Sequence, residues 1–323
     1  MLARHAESLF WAGRYLERAE GTARLLDVTY QGSLQVAGGE GRDAWAHVLD
    51  VLQARKEFDR RGRTLDEGAV CTFLVTDRSN PGSIVSGVAT ARENFRTVRE
   101  HLSSEMWENV NGFHLDLQAR NIAADLTGEP YALYDLVKVR CQTLGGVAAQ
   151  SMPRDETYSF LRLGWMIERA LITCRLLNVN YASLGHDDYD AMLLTLRSAS
   201  ALEAYRRSFQ SSTNPTHIAA FLLQSRSFPR SVLFCLQRAE HSLENLAGPS
   251  TSRNRAQRIL GRIRSQLEFT DIAEFVTGDV HATLDALEQS ICDIADVVAN
   301  QYFRVGSEYA LQSQYVLPGE AMV

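Results

Sequence analysis

Two stretches of the chain decide its fold: Ser8-Leu-Phe-Trp-Ala-Gly-Arg-Tyr-Leu-Glu-Arg-Ala at residues 8–19, and Ser159-Phe-Leu-Arg-Leu-Gly-Trp-Met-Ile-Glu-Arg-Ala at residues 159–170. In the first, Leu9, Ala12, Leu16 and Ala19, continued by Ala23, Leu26 and Tyr30, fall at alternating spacings of three and four. That is the apolar stripe of a long amphipathic helix. The second repeats it at a shift of 151 residues, and 11 of the 23 positions from 8 to 30 are identical, among them Gly13, Glu17, Arg18, Ala19, Thr22 and Arg24. A match of that length points to an internal repeat.

A second echo follows in the same order. Asn80-Pro-Gly-Ser-Ile-Val resembles Phe228-Pro-Arg-Ser-Val-Leu at a shift of 148, each with a proline where a helix begins. Proline suits a first turn because its missing N–H has no intrahelical partner there. The expectation is an all-α protein made of two related helical-bundle halves from an internal duplication, residues 1–150 and 151–310, packed together, with a frayed tail at 311–323. Further helices are expected at 43–59, 103–126, 130–149, 187–209, 215–224, 252–267 and 279–303. Residues 70–76, Val-Cys-Thr-Phe-Leu-Val-Thr, are the one strand candidate and fit a short buried helix equally well. Glycine, proline and small polar residues place loops at 38–41, 211–215 and 247–252.

Composition bounds the class. A chain of 323 residues with 45% apolar and 22% charged residues has ample core material and is not of the disordered type. Its length favours two packed units over one core. A net charge of −6 argues against nucleic acid and anionic membrane as general partners. Five cysteines without a C-x-x-C pair suggest neither a disulfide framework nor a zinc clip. The charged start of the chain lacks a signal-peptide core, and no run of about 18 apolar residues spans a bilayer, so a reducing cytoplasm is expected.

On a helical wheel Glu17 shares a face with Gly13 and Arg24, and the repeat places Gly164, Glu168 and Arg175 in the same way. Arg18 and Arg169 lie on the adjacent face. Together with Arg14 these form the candidate polar site or interface, open to two readings. In one, Glu17 and Glu168 make buried ion pairs with arginines of facing helices and fix how the halves dock. In the other, the arginines line a shared pocket and hold an anion. Further along, Arg92, Arg96 and Arg99 run along one helix face with Glu93 and Asn94 between them, as an anion receptor or as a solvated, neutralised stripe. Arg253, Arg255, Arg258, Arg262 and Arg264, with no acidic residue from 251 to 264, are a candidate surface for an acidic partner. Trp11, Trp107 and Trp165 are expected in the core.

No glutamate is followed by histidine at the third position, which removes the di-iron bundle motif. The eight histidines stand singly along the chain, so no metal is expected from them. Phosphate-loop, dinucleotide and serine-hydrolase signatures are absent, no cysteine has an activating context, and no cofactor is expected.

Ser8 through Glu20, with Asn80-Pro-Gly-Ser-Ile, Ala91-Arg-Glu-Asn and Trp107, resembles the bacterial alpha-E family over nearly the whole chain. Gly21 departs from it, standing where a polar residue is expected. The resemblance implies association with a circularly permuted ATP-grasp ligase and a transglutaminase-like peptidase, in peptide synthesis or modification. It marks Glu17, Arg18, Glu168, Arg169, Arg92, Glu93 and Asn94 as positions of interest. The leading expectation is an accessory component that binds such a ligase, peptidase or peptide in the groove between its halves. One alternative is an enzyme of the same pathway, with Glu17 or Glu168 as general base and Arg18, Arg169 or Arg92 holding a carboxylate or phosphate. Another is a structural oligomerisation scaffold.

Overall fold

Side-chain caps fix where many of the helices start. In the computed structural model, which describes residues 1–35, 41–184, 189–209, 214–247 and 252–303, Asp66, Ser83, Ser103, Asn121, Asn214, Asn254, Asp271 and Asp279 each accept a backbone N–H from the first turn of the helix they precede. Proline opens one more turn, at Pro130, and Pro215 follows the Asn214 cap. The first eight helices are α1 (Ala3–Gln35), α2 (Gly41–Val51), α3 (Arg55–Arg60), α4 (Glu67–Val75), α5 (Ile84–Thr97), α6 (Ser104–Ala119), α7 (Ile122–Thr127) and α8 (Pro130–Ser151). The next eight are α9 (Glu156–Leu184), α10 (Tyr189–Ser198), α11 (Leu202–Phe209), α12 (Pro215–Gln224), α13 (Val232–Ala247), α14 (Arg255–Glu268), α15 (Ile272–Thr277) and α16 (Val280–Val298). A 3₁₀ turn, Arg99–His101, follows α5, and a π turn, Ala299–Phe303, ends α16. Among the described residues there is no strand, and no helix is long and apolar enough to cross a membrane.

The strand candidate at 70–76 falls almost wholly in α4. Val70, Cys71, Phe73, Leu74 and Val75 are all buried, so the helix is apolar around most of its circumference and shows no 3.6-residue period. Three expected helices are broken in two. The break in 43–59 falls at Gln53 and that in 187–209 at Ser200, each with φ 52°. Both carry the same pair of closing hydrogen bonds, Gln53 N–H to Asp50 and Ala54 N–H to Leu49, Ser200 N–H to Arg197 and Ala201 N–H to Leu196. This is a Schellman ending built without the usual glycine, which left no residue signal to read. The third break, in 103–126, comes where Arg120 turns extended and Asn121 caps α7. The loop expectations at 38–41, 211–215 and 247–252 fall partly, and the tail at 311–323 wholly, outside the described residues.

The two ranks of eight pack in the same way. Helix α1 lies on α5 and α8, α5 on α6, and α6 on α8; α9 lies on α13 and α16, α13 on α14, and α14 on α16. Each rank also reaches into the other, α2 against α9 and α10 against α1. At the centre, residues 10, 13, 17 and 21 of α1 meet 164, 161, 169 and 172 of α9, so the pair runs parallel. Buried apolar side chains of both ranks form one continuous cluster, which does not divide at residue 150.

Glycine sets the closeness of the central pair. A Cβ on Gly13 would stand 2.3 Å from the Leu161 carbonyl oxygen, and one on Gly164 would stand 2.0 Å from that of Phe10. No groove therefore opens along this part of the α1/α9 seam. Gly21, the departure from the resemblance, lies against Ile172: a Cβ there would stand 2.7 Å from its Cδ1, so that side chain would have to shift. Gly13→Ala and Gly164→Ala should each lower the stability by about 1–3 kcal/mol or more, because backbone must move. Gly146→Ala, exposed on α8 with no atom near its added methyl, should be neutral or gain up to about 1 kcal/mol. Urea unfolding of the three variants tests this contrast.

Candidate functional site

Both Glu-Arg pairs sit one turn past the glycine contact, where α1 and α9 are closest. Successive residues on a helix point about 100° apart, so a Glu-Arg dipeptide cannot pair with itself and each half must look outward. The two helices satisfy each other. Arg169 donates to Glu17 through Nε and Nη2, both at 2.7 Å. In return Arg18 donates to Glu168 through Nε at 2.7 Å and Nη2 at 3.1 Å. Each pair is the two-pronged fit of a planar guanidinium to a carboxylate.

A second arginine completes each glutamate's set, and its source differs between the helices. Arg14 donates to Glu168 at 2.7 Å. Glu17 instead accepts from Arg230, at 3.2 Å, and Arg230 donates its other nitrogen to Glu20 at 2.8 Å. Glu20 also accepts from Arg24, which in turn donates to Ser200. The turn carrying Arg230 is pinned to α9 where Thr173 Oγ1 donates to the Arg230 carbonyl at 2.8 Å. Sequence reasoning missed both Glu20 and Arg230. Their signal was a joint departure from the repeat: Arg230 stands where the first half has Gly82, and Glu20 where the second has Leu171.

The carboxylates are sealed, with Glu17, Glu20 and Glu168 only 4%, 2% and 1% exposed. Burial alone would raise the Glu168 carboxyl, but the charges of Arg18 and Arg14 outweigh it and hold the group at about 2. Arg230 and Arg24 do the same for Glu20, also at about 2. Arg169 is pushed up by Glu17 against its own desolvation. Five guanidiniums thus face three carboxylates, and the surplus positive charge favours the ionised form of Glu20 and Glu168. An enclosed carboxylate is a poor general base, because it reaches no substrate proton. The geometry is that of the docking ion pairs.

The other candidates lie elsewhere. Arg175 donates to Glu288 on α16 at 2.8 Å, and Gln53 also donates to Glu288. On α5, Arg92 donates to Asn111 at 3.0 Å and pairs with Glu93, which also accepts from Arg96 at 2.7 Å; the Asn94 amide nitrogen is buried without a partner. These bonds lie outside the set that engages Glu17, Glu20 and Glu168, although the charge of Arg175 still helps to lower the Glu168 carboxyl. Trp107 is only partly buried and carries Arg92 and Arg99 on its ring, at 5.4 and 5.1 Å, while Trp11, also partly buried, carries Arg14 at 5.2 Å. In the α14 run, Arg264 pairs with Glu240 at 2.8 Å and with Glu268, while Arg255, Arg258 and Arg262 form an exposed stripe. All five cysteines are free, and burial raises every thiol, Cys71 and Cys235 to about 12, which disfavours the thiolate. The fold brings two of the singly spaced histidines together: His5 and His101 meet, with Nδ1 and Nε2 3.2 Å apart. They stand beside an open cavity of about 610 Å³ lined by Arg4, His5, Arg96, Arg99, Glu100 and Trp107, among others.

Comparison with known proteins places the network. The family model Alpha-E, described as a predicted alpha-helical domain with a conserved ER motif, matches residues 1–303. In this chain Glu-Arg occurs only at 17–18 and 168–169. Uncharacterized proteins of Mycobacterium bovis and Mycobacterium tuberculosis are each 25% identical over 317 residues, covering 90% of this chain and 36% of the relative. The chain thus spans about a third of the length of the curated relatives it matches. No solved structure matches it.

Two outcomes follow for the network. Glu168→Gln should cost about 3–5 kcal/mol, since it strands two buried guanidiniums. Because the folded-state carboxyl titrates near 2 rather than its ordinary 4.5, its stabilisation is present above 4.5 and lost as the pH falls towards 2. Chemical unfolding from pH 6 down to pH 2 should show stability falling in that window, with a shallower fall in the variant.

Proposed function

The chain belongs to the Alpha-E family, and on that premise we propose that it is an accessory, non-catalytic helical module of the bacterial cytoplasm. Its task is to dock an ATP-grasp-type ligase, a transglutaminase-like peptidase or their peptide during peptide synthesis or modification. The observation that carries this reading is the closure of the Glu-Arg motifs on one another: both glutamates are buried and engaged by arginine, which supports a role in the frame over one as general base. The match to about a third of much longer relatives also suits a module that works beside other parts.

The frame itself is a duplicated unit in this reading. Its supports are the matched motifs, the same order of helices, and the same unusual ending at Gln53 and Ser200. The contact surface we assign is the exposed stripe Arg255, Arg258 and Arg262 on α14, with a carboxylate-rich face as its complement. Affinity capture from the native cells should recover a ligase or peptidase of those classes with the wild-type chain. Changing the three arginines to glutamate should abolish the recovery without unfolding the protein. Turnover of ATP or peptide by the isolated chain would contradict the accessory role.

A further inference from the structure

His5 lies in the first turn of α1, and Glu100 and His101 lie in the 3₁₀ turn that closes α5. Packing of α5 along α1 brings these ends together across about a third of the chain. One donor atom of each residue, His5 Nδ1, His101 Nε2 and a Glu100 carboxylate oxygen, falls within 4.8 Å of the other two. His101 Nε2 is central, 3.2 Å from His5 Nδ1 and 3.5 Å from Glu100 Oε1.

That arrangement is poorly served by hydrogen bonding alone. A single ring nitrogen carries one proton or one lone pair, so His101 Nε2 serves an imidazole nitrogen and a carboxylate together only by sharing one proton over two long contacts. A cation between the three serves all of them. A tetrahedral ion bound at about 2.0–2.1 Å holds its ligand atoms about 3.3–3.4 Å apart, close to both observed separations. Two imidazoles with one carboxylate suit zinc and its first-row neighbours, and they are a poor match for magnesium or calcium, which take oxygen shells.

We propose that His5, Glu100 and His101 form a binding site for a divalent transition ion of the zinc class, with an open coordination position served from the adjoining cavity. His5 and Glu100 both line that cavity, so the ion has a path to solvent. His5 is 5% exposed and fixed by the core, whereas Glu100 and His101 sit on an exposed turn and can close on the metal. Arg4, Arg96 and Arg99 share the wall, so the fourth ligand is expected to be water or an anionic group, carboxylate or phosphate, whose charge they offset.

The test is titration of the tag-free full-length chain, freed of metal, with Co²⁺ followed by visible absorption, then displacement by Zn²⁺. One equivalent should bind with the intense d–d bands of a four-coordinate ion. His101→Ala and Glu100→Gln alter exposed side chains and should fold normally by circular dichroism. Each should weaken Co²⁺ and Zn²⁺ binding by more than about tenfold. Absence of stoichiometric binding, or affinity unchanged in both folded variants, overturns the site.

Discussion

The exchange of glutamates between α1 and α9 is the constraint on which the rest of the structure depends. Each helix carries a Glu-Arg pair that it cannot close by itself, and each carboxylate is taken by the other helix's arginine. In a dry interface an unpaired charge is so unfavourable that only one parallel alignment of the two helices is tolerated. Gly13 and Gly164 let the backbones come near enough for the short arginine–glutamate reach, and the flanking helices of each rank wrap the result. Hydrophobic packing supplies the bulk of the stability. The ion pairs select the register, a role for which buried polar groups are well suited.

The symmetry of this core is broken where it is decorated. Glu168 receives its second arginine from its neighbour helix, whereas Glu17 receives its own from the turn before α13, and that arginine also serves Glu20. Glu20 and Arg230 each lack a counterpart in the other half. A pair of charges that departs from the repeat on both sides at once is coherent with a contact, since each would lose one of its two buried partners without the other.

Much of this was legible in the residues. The apolar stripe and the repeat at 151 give the two long helices and the all-helical class, and the proline echo locates α5 and α13. The ion-pair reading of Glu17 and Glu168 was also within reach, because a glycine one turn before a glutamate implies a close neighbour. What periodicity could not supply was the identity of the partners, which lie some 150 residues away. It also failed where helices are short: α4 is too thoroughly buried to show a period, and the ends at Gln53 and Ser200 use no glycine. The meeting of His5 with His101 depends on α5 packing along α1, which no local spacing encodes.

In the proposed reading the motif serves the frame, and the arginine stripe of α14 and the histidine-edged cavity at the end of α5 are the surfaces assigned to binding. The account stands or falls on whether the motif is a structural clasp. A double-mutant cycle on Glu168 and Arg18, with Glu168→Gln, Arg18→Gln and the double variant unfolded in urea at pH 7, addresses that directly. The clasp predicts a coupling energy between about 1 and 3 kcal/mol; destabilisations that simply add, within about 0.5 kcal/mol, would show that the two side chains do not depend on one another and would contradict it.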